Sequence, residues 1–134
     1  MTQEDKKIVI KDICGRLPYG VKVKFNNINI LKLGSHTRVG EYVTDVIEPC
    51  KPYLFPLSSM TEEQKYDFYC RFIENDCDFN DFKEFYLDNG MWHKMLTSLD
   101  DIEEIIEWFN KNHFDFRCLI PKGLAIDATN LNIY

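Results

Sequence analysis

The sequence predicts an α+β fold in which an N-terminal three-stranded antiparallel sheet packs against about three helices. Three observations predict this class. Val and Phe alternate with Lys in residues 21–25, three prolines fall within residues 49–56, and apolar residues recur at three- and four-residue intervals after residue 59. The first pattern is typical of a strand with one buried face, and the last is typical of helices with one buried face.

The β part follows an amphipathic lead-in. Residues 1–17 fit either a strand or one helical turn, and their pattern does not distinguish the two. Strands are predicted at 21–25 and 28–33, because the two asparagines between them tolerate the positive φ of a tight hairpin turn. After a turn at 34–40, the β-branched residues of 41–47 predict a third strand.

The helices follow a proline-rich connector. Prolines in residues 49–60 exclude a helix there, and we expect this connector to cross the sheet edge. A first helix is predicted from Ser59 or Thr61, a second over 79–89, and a third from a cap at 97–98 to Asn112. Their apolar positions are Tyr66, Tyr69, Cys70 and Ile73, with Phe68 and Phe72 as a second row; Phe79, Phe82, Phe85 and Tyr86; and Ile102, Ile105, Ile106 and Phe109.

The tail carries two apolar patches around a turn at 121–123, and we expect Leu124–Ile126 to return to the sheet edge. Residues from Asp127 onward are predicted to be a loose end. The length of 134 residues fits a single domain, 1–134. Within it we expect residues 1–58 to be mainly β, 59–112 mainly α and 113–134 a tail.

Composition excludes several classes of protein. No apolar run reaches the roughly 20 residues of a membrane span, and the polar N-terminus does not resemble a secretory signal, so we expect a cytoplasmic protein without membrane contact. The five cysteines are odd in number and scattered, which argues against a disulfide framework. We expect them to be mostly buried, and whether any is reactive stays open.

Charge is unevenly distributed along the chain, whose formal net charge is −6. Residues 1–59 contain 9 Lys/Arg and 6 Asp/Glu, whereas residues 60–116 contain 5 and 15, and residues 117–134 contain 2 and 1. The acidic excess therefore lies in the predicted helices. Such an asymmetry concerns partners and not the fold.

No motif predicts catalysis or metal binding. Residues 76–80 imitate the start of a calcium loop, but Asp81 stands where that loop needs Gly and Leu87 where it needs Glu. The three histidines lie in no nucleophile motif, and the chain has no glycine-rich phosphate loop. We therefore expect neither a catalytic residue nor a metal or other cofactor.

Two acidic stripes and a tryptophan form the main predicted binding face. If the second and third helices are neighbours, their acids make one surface that attracts a host or phage protein with a basic surface. Trp108 lies off the centre of its apolar stripe, which makes it a partly exposed interface anchor. The predicted partner-binding residues are Asp81, Glu84, Asp88, Asp100, Glu104, Glu107 and Trp108.

The alternative is a small-ligand or nucleotide-binding protein, such as a signal sponge or minor enzyme. A phosphate on this ligand is expected to contact mainly Lys22, Lys24, Lys32 and Arg38 on the predicted sheet. Lysines that alternate with apolar residues are, however, more often the solvated face of a half-buried sheet. The site then lies between this basic face and the tail, near His36, Arg38, His113 and Arg117. Direct nucleic-acid binding is not expected.

Three segments resemble a set of small uncharacterised proteins encoded by phages and prophages of gut bacteria. They are LPYGV at 17–21, KPYLFPLSSMT at 51–61, and NHFDFRCLIPKGLA at 112–125. The resemblance implies a mobile-element protein acting inside a bacterium, and it transfers no functional residue. We thus expect a non-catalytic interaction protein, in one form an anti-CRISPR-like inhibitor of bacterial defence. A minor virion or assembly component fits equally, and the oligomeric state stays open.

Overall fold

A computed structural model describes residues 2–26, 28–40, 50–74, 77–84 and 102–134. The chain is α+β, as predicted, and its contacts divide it into two compact units, Met1–Pro56 with Phe109–Tyr134 and Leu57–Trp108. The elements of the described residues are α1 Gln3–Arg16, β1 Lys22–Phe25, β2 Ile28–Lys32, β3 Lys51–Leu54, α2 Glu62–Phe68, α3 Phe79–Asp81, α4 Ile102–Lys111 and β4 Ile126–Asp127, with 3₁₀ turns at Leu17–Tyr19 and Leu57–Ser59 and a π-helical turn at Tyr69–Ile73.

The sheet of the first unit has the strand order β2-β1-β3-β4. β1 pairs antiparallel with β2 and with β3, whereas β3 pairs parallel with β4. The predicted three-stranded antiparallel sheet is therefore matched only in part, because a fourth strand comes from the tail. The strand predicted at 41–47 lies outside the described residues.

The predicted hairpin between β1 and β2 is confirmed. Asn26 has a φ of 50°, which is the left-handed conformation that Asn tolerates. The pairing passes from Val23 opposite Leu31 to Phe25 opposite Ile28, so two residues of β2 oppose one of β1. This is a β-bulge, which increases the local twist.

The prediction for the proline-rich connector is wrong in one respect. It does not merely cross the sheet edge, because its residues 51–54 form β3, between β1 and β4. Pro52 lies opposite Val23, and both are buried. Proline lacks the backbone donor in both structures, but its ring also clashes with the preceding turn of a helix, so it excludes a helix interior more strongly than a short strand.

The lead-in whose form the pattern left open is helix α1. Thr2 caps it, and a reciprocal bond from the Thr2 N–H to Asp5 completes a capping box. The helix buries Val9 and Ile13 completely in a core shared with β1, β3 and the tail. Burying one such side chain stabilises the fold by about 1.5–3 kcal/mol, so α1 is the element that closes the core face of the sheet.

The tail confirms one prediction and corrects another. A turn forms through the Gly123 N–H to the Ile120 carbonyl, and Ile126 then lies opposite Tyr53 at the sheet edge, as expected. The residues after Asp127 are not a loose end. Ala128 is buried and its N–H donates to a β3 carbonyl, while Tyr134 is hydrogen-bonded to the sheet.

The second unit is organised around Phe68. Its ring contacts Phe72, Phe82 and Trp108 at centroid distances of 5.0, 5.7 and 5.1 Å. The predicted face over 66–73 is wrong for Tyr66, which is 55% exposed, and for Cys70, which is also exposed, whereas Ile73 is buried as predicted. The π turn that follows α2 contains an extra residue, so side chains from Tyr69 onward depart from the 3.6-residue repeat, whereas Tyr66 precedes this turn.

The other helices follow the predicted local signals. Thr61 caps α2 with a reciprocal bond to Gln64, and Asp78 caps α3. Residues 85–89 of the predicted second helix lie outside the described residues, as do the caps proposed at 97–98. Helix α4 ends before Asn112, as predicted, and buries Ile105 and Phe109. Among the described helices, none combines the length and the apolar character that a membrane crossing requires.

Candidate functional site

The outer face of the sheet carries four lysines. Lys22 lies directly opposite Lys32, and Lys24 lies directly opposite Lys51. Side chains of directly opposed residues project from the same face, and alternation puts Val23 on the other, buried face. We call Lys22, Lys24, Lys32 and Lys51 the lysine face.

The lysine face is electrostatically unfavourable on its own. Like charges directly opposite one another on a sheet destabilise it. In the described part of the chain, the ion pairs involve other cations, and no carboxylate pairs with any of the four lysines. Among the described residues, no ion pair therefore neutralises the charge of these lysines.

The end of the tail meets the lysine face at Lys22. The Lys22 ammonium donates to the Ile133 carbonyl and lies 5.5 Å from the centroid of the Tyr134 ring. The Tyr134 hydroxyl accepts from the Lys22 backbone N–H at 2.8 Å and donates to the Tyr53 carbonyl at 2.9 Å. The phenol oxygen thus bridges β1 and β3 where the next rung of their ladder would form.

Tyrosines hold this outer face together. The Tyr53 hydroxyl donates to the Asn29 carbonyl, so its side chain reaches from β3 to β2. Burial raises the pKa of Tyr134 to about 12, so its hydroxyl keeps its proton and remains a donor at neutral pH. The residue as a whole is still 40% exposed, which leaves part of it open to a ligand.

His113 stacks on Tyr134. The two ring centroids are 3.7 Å apart and the planes differ by 12°. Burial, and then the charges of Arg16 and Lys22, lower the pKa of His113 to about 4, so the ring is neutral at physiological pH. Within the described residues its Nδ1 is buried without a hydrogen-bond partner. This ring pair borders the lysine face.

A buried ion cluster fixes the loop that carries His113. Asp12 accepts from Arg16 Nε at 2.9 Å and from Arg117 Nη1 at 2.7 Å. Arg16 also donates to the carbonyls of Phe109 and Phe114, on either side of His113. Asp12 and Arg16 are completely buried, so this cluster has a structural role.

The residues of the predicted small-ligand site have different surroundings. His113 lies beside the lysine face, whereas Arg117 pairs with buried Asp12. His36 and Arg38 are exposed in the 34–40 segment. A turn is confirmed there by the Thr37 N–H to Gly34 carbonyl bond of 2.9 Å.

The predicted acidic face is described only in part. Asp81, Glu84, Glu104 and Glu107 are exposed, whereas Asp88 and Asp100 lie outside the described residues. The exposure expected for Trp108 is wrong. The residue is 8% exposed and its indole N–H donates to an Asp67 carboxylate oxygen at 2.9 Å. Contact with Phe68 makes Trp108 a core residue of the second unit.

The cysteines are less buried than expected. All five are free, and only Cys50 is buried, which raises the pKa of its thiol to about 11. Cys14 and Cys70 are exposed, while Cys77 and Cys118 are half-buried. In the ranges that the structure describes, no three His, Cys, Asp or Glu side chains are grouped as metal ligands.

Sequence reasoning missed two members of this site, Lys51 and Tyr134. The signal for Lys51 was present, because Lys51, Tyr53 and Phe55 alternate with Pro52 and Leu54 as in a strand. Nothing local to Tyr134 predicts its contact with β1, which joins residues 112 positions apart.

Comparison with protein-family models, with curated proteins and with solved structures gives no match. The resemblance to phage and prophage proteins therefore stays a prediction.

Proposed function

We propose that this protein is a binding protein for a phosphate-bearing ligand, which it holds on the lysine face. The observation that supports this most is the pair of direct lysine oppositions, Lys22 with Lys32 and Lys24 with Lys51. An anion between opposed ammonium groups replaces repulsion by charge-assisted hydrogen bonds. The arrangement is unfavourable without a ligand and favourable with one.

The border of the face supports a ligand that also has a planar ring. Tyr134 and His113 form a stacked pair, and the Lys22 ammonium lies 5.5 Å from the Tyr134 centroid. Phosphate and aromatic surface are thus offered side by side, as a nucleotide requires. His113 is neutral and a weak base at physiological pH, which supports binding over proton-transfer chemistry.

Thermal unfolding and titration calorimetry test this proposal with ATP and inorganic tripolyphosphate, against adenosine as an uncharged control. We expect both polyphosphates to raise the unfolding temperature and adenosine to have little effect. The variant K24Q/K51Q should weaken binding at least tenfold. The matched variant K11Q/K122Q removes the same charge from exposed positions outside the face and should bind normally.

Two results contradict the proposal. One is equal loss of binding in K24Q/K51Q and K11Q/K122Q, which would indicate a response to net charge only. The other is no lysine-dependent binding by any phosphate probe, including single-stranded oligo-dT. Native mass spectrometry of freshly purified protein adds an independent check, because a bound nucleotide would survive as added mass.

A second candidate is the predicted interaction with a basic host or phage protein through the acidic helices. Phe68 favours it, because the ring contacts Phe82 beside α3 and Trp108 in α4 and so brings both acid-bearing segments to one cluster. The phage context and the anti-defence role belong to this candidate and depend on the resemblance alone.

Charge reversal tests the second candidate. We expect a pull-down from bacterial lysate to recover a partner at low salt that is lost at high salt and lost when Asp81, Glu84, Glu104 and Glu107 are changed to Lys. Full retention by the reversed variant would contradict an acidic interface. Circular dichroism of the variant controls for folding.

A further inference from the structure

The spacing of the lysine pairs points to the size of the ligand. Strands lie about 4.8 Å apart and residues i and i+2 about 7 Å apart along a strand. The Lys22–Lys32 pair lies between β1 and β2, whereas the Lys24–Lys51 pair lies between β1 and β3 and one repeat further along. The two pairs are therefore centred about 8 Å apart.

Two anion positions at this separation suit successive phosphodiesters better than one nucleotide. Neighbouring phosphates of a di- or triphosphate share a bridging oxygen and lie much closer together. In a polynucleotide, a whole sugar separates one phosphate from the next. A strand lying diagonally across β2, β1 and β3 can place one phosphate at each lysine pair.

Apolar surface on the same face supports an unpaired strand. Ile30 is two residues from Lys32, so it projects from the lysine face, and it is 49% exposed. Splayed bases of single-stranded nucleic acid cover such apolar surface, whereas in a duplex the bases are stacked inside. Lysine is a point charge without a fixed fork of donors, so such binding carries little sequence preference.

We infer that the lysine face binds single-stranded nucleic acid through its phosphodiester backbone, without strong sequence preference. This inference depends on the proposed function and specifies its ligand. The sequence alone does not predict direct nucleic-acid binding. In the sequence, Lys51 stands in a proline-rich segment and is not recognised as part of the sheet. The register of β3 places it opposite Lys24.

The salt dependence of binding tests the inference. The probe is a fluorescein-labelled 12-nucleotide oligo-dT, measured by anisotropy between 50 and 200 mM salt. With four phosphate contacts, the slope of log affinity against log salt is about −2.8, a loss of about 50-fold over this range. K24Q/K51Q should reduce the slope to about −1.4, a loss of about sevenfold, and K11Q/K122Q should leave it unchanged.

Competition separates this inference from the proposed function. Lysine-dependent binding of oligo-dT that is at least tenfold tighter than ATP supports the inference. ATP binding as tightly on the same lysines overturns it and leaves the proposed function standing. Tighter binding of a duplex, or of poly-glutamate of equal charge, also overturns it and assigns the face to a duplex or an acidic protein. No lysine-dependent phosphate binding overturns both proposals.

Discussion

The two units of this chain treat charge in opposite ways. In the described residues of the second unit, the ion-paired acids are solvent-exposed, as in the contacts of Glu62 with Lys65 and Lys83 at 3.3 Å. In the first unit, Asp12 and Arg16 form a completely buried ion pair, while four lysines oppose each other on the sheet. Hence the candidate site is not where charged residues are densest in the sequence. It is where lysines lie opposite one another on the sheet without a carboxylate partner among the described residues.

The largest expected effect concerns the buried cluster. Asp12→Asn should lower the free energy of unfolding by about 3–5 kcal/mol, because it leaves Arg16 buried without a counter-ion. Urea unfolding followed by circular dichroism measures this change. Glu4→Gln on the same helix breaks the exposed Glu4–Lys7 pair and should leave the midpoint unchanged.

If the Asp12 variant does not fold, a double variant keeps the test decisive. Replacing Asp12 by Leu and Arg16 by Met removes both charges together and should restore most of the stability. A double variant as unstable as Asp12→Asn would show that the cluster contributes more than mutual neutralisation.

The next effect concerns the phenol that bridges β1 and β3. Tyr134→Phe keeps the ring beside His113 but leaves the Lys22 N–H and the Tyr53 carbonyl without their bridging hydroxyl. The cost should be about 1–3 kcal/mol in urea unfolding. Tyr66→Phe, on the exposed surface of the second unit, is the control and should cost much less. Equal losses would contradict the bridging role.

His113 should make stability depend on pH. Its folded pKa of about 4 lies below the usual 6.5, so the unfolded chain binds the proton first as pH falls. The free energy of unfolding should therefore be highest above about pH 6.5 and should fall by about 1–2 kcal/mol as the pH is lowered towards 4. This loss is smaller than the pKa shift of His113 alone implies, because the ring is only half-buried and solvent screens its charge. Urea midpoints of the wild type and His113→Phe measure it, and an identical pH profile in both would contradict it.

The smallest effect separates stability from binding on the lysine face. Lys24→Glu turns an opposed like pair into an attractive one, so the unliganded protein should gain about 0.2–1 kcal/mol. The same variant should bind phosphate ligands at least tenfold more weakly. Thermal unfolding with and without ATP measures both, and a gain of stability with unchanged binding would place the ligand elsewhere.

Local signals in the sequence were sufficient for part of the fold. The β1–β2 hairpin and the end of α4 follow from neighbouring residues, so their patterns predicted them. The sequence pattern of helix α1 is ambiguous because its buried side includes Asp12 and Arg16. A pattern of apolar residues predicts that charged residues such as these are exposed to solvent. Contacts with the distant Arg117 and with the Phe114 carbonyl help to make that burial favourable.

The candidate site was predictable to a similar extent. Lys22, Lys24 and Lys32 follow from strand alternation, and the tail was expected near the basic face. Lys51 was missed because prolines obscured β3, and Tyr134 because its contact with Lys22 spans 112 positions. The sequence around Trp108 does not indicate its burial, because that burial depends on Phe68 from another helix.

The first unit is discontinuous in sequence, and this has a consequence for the order of its assembly. Residues 57–108 of the second unit lie between its two segments. On a ribosome, the second unit is complete before Leu119, Leu124 and Tyr134 have been synthesised. Until then Val9 and Ile13 lack part of the core that covers them, and Arg16 lacks the Phe114 carbonyl, 98 positions away. Contacts of this range slow folding, so the nascent first unit has the longer interval in which a chaperone can bind it.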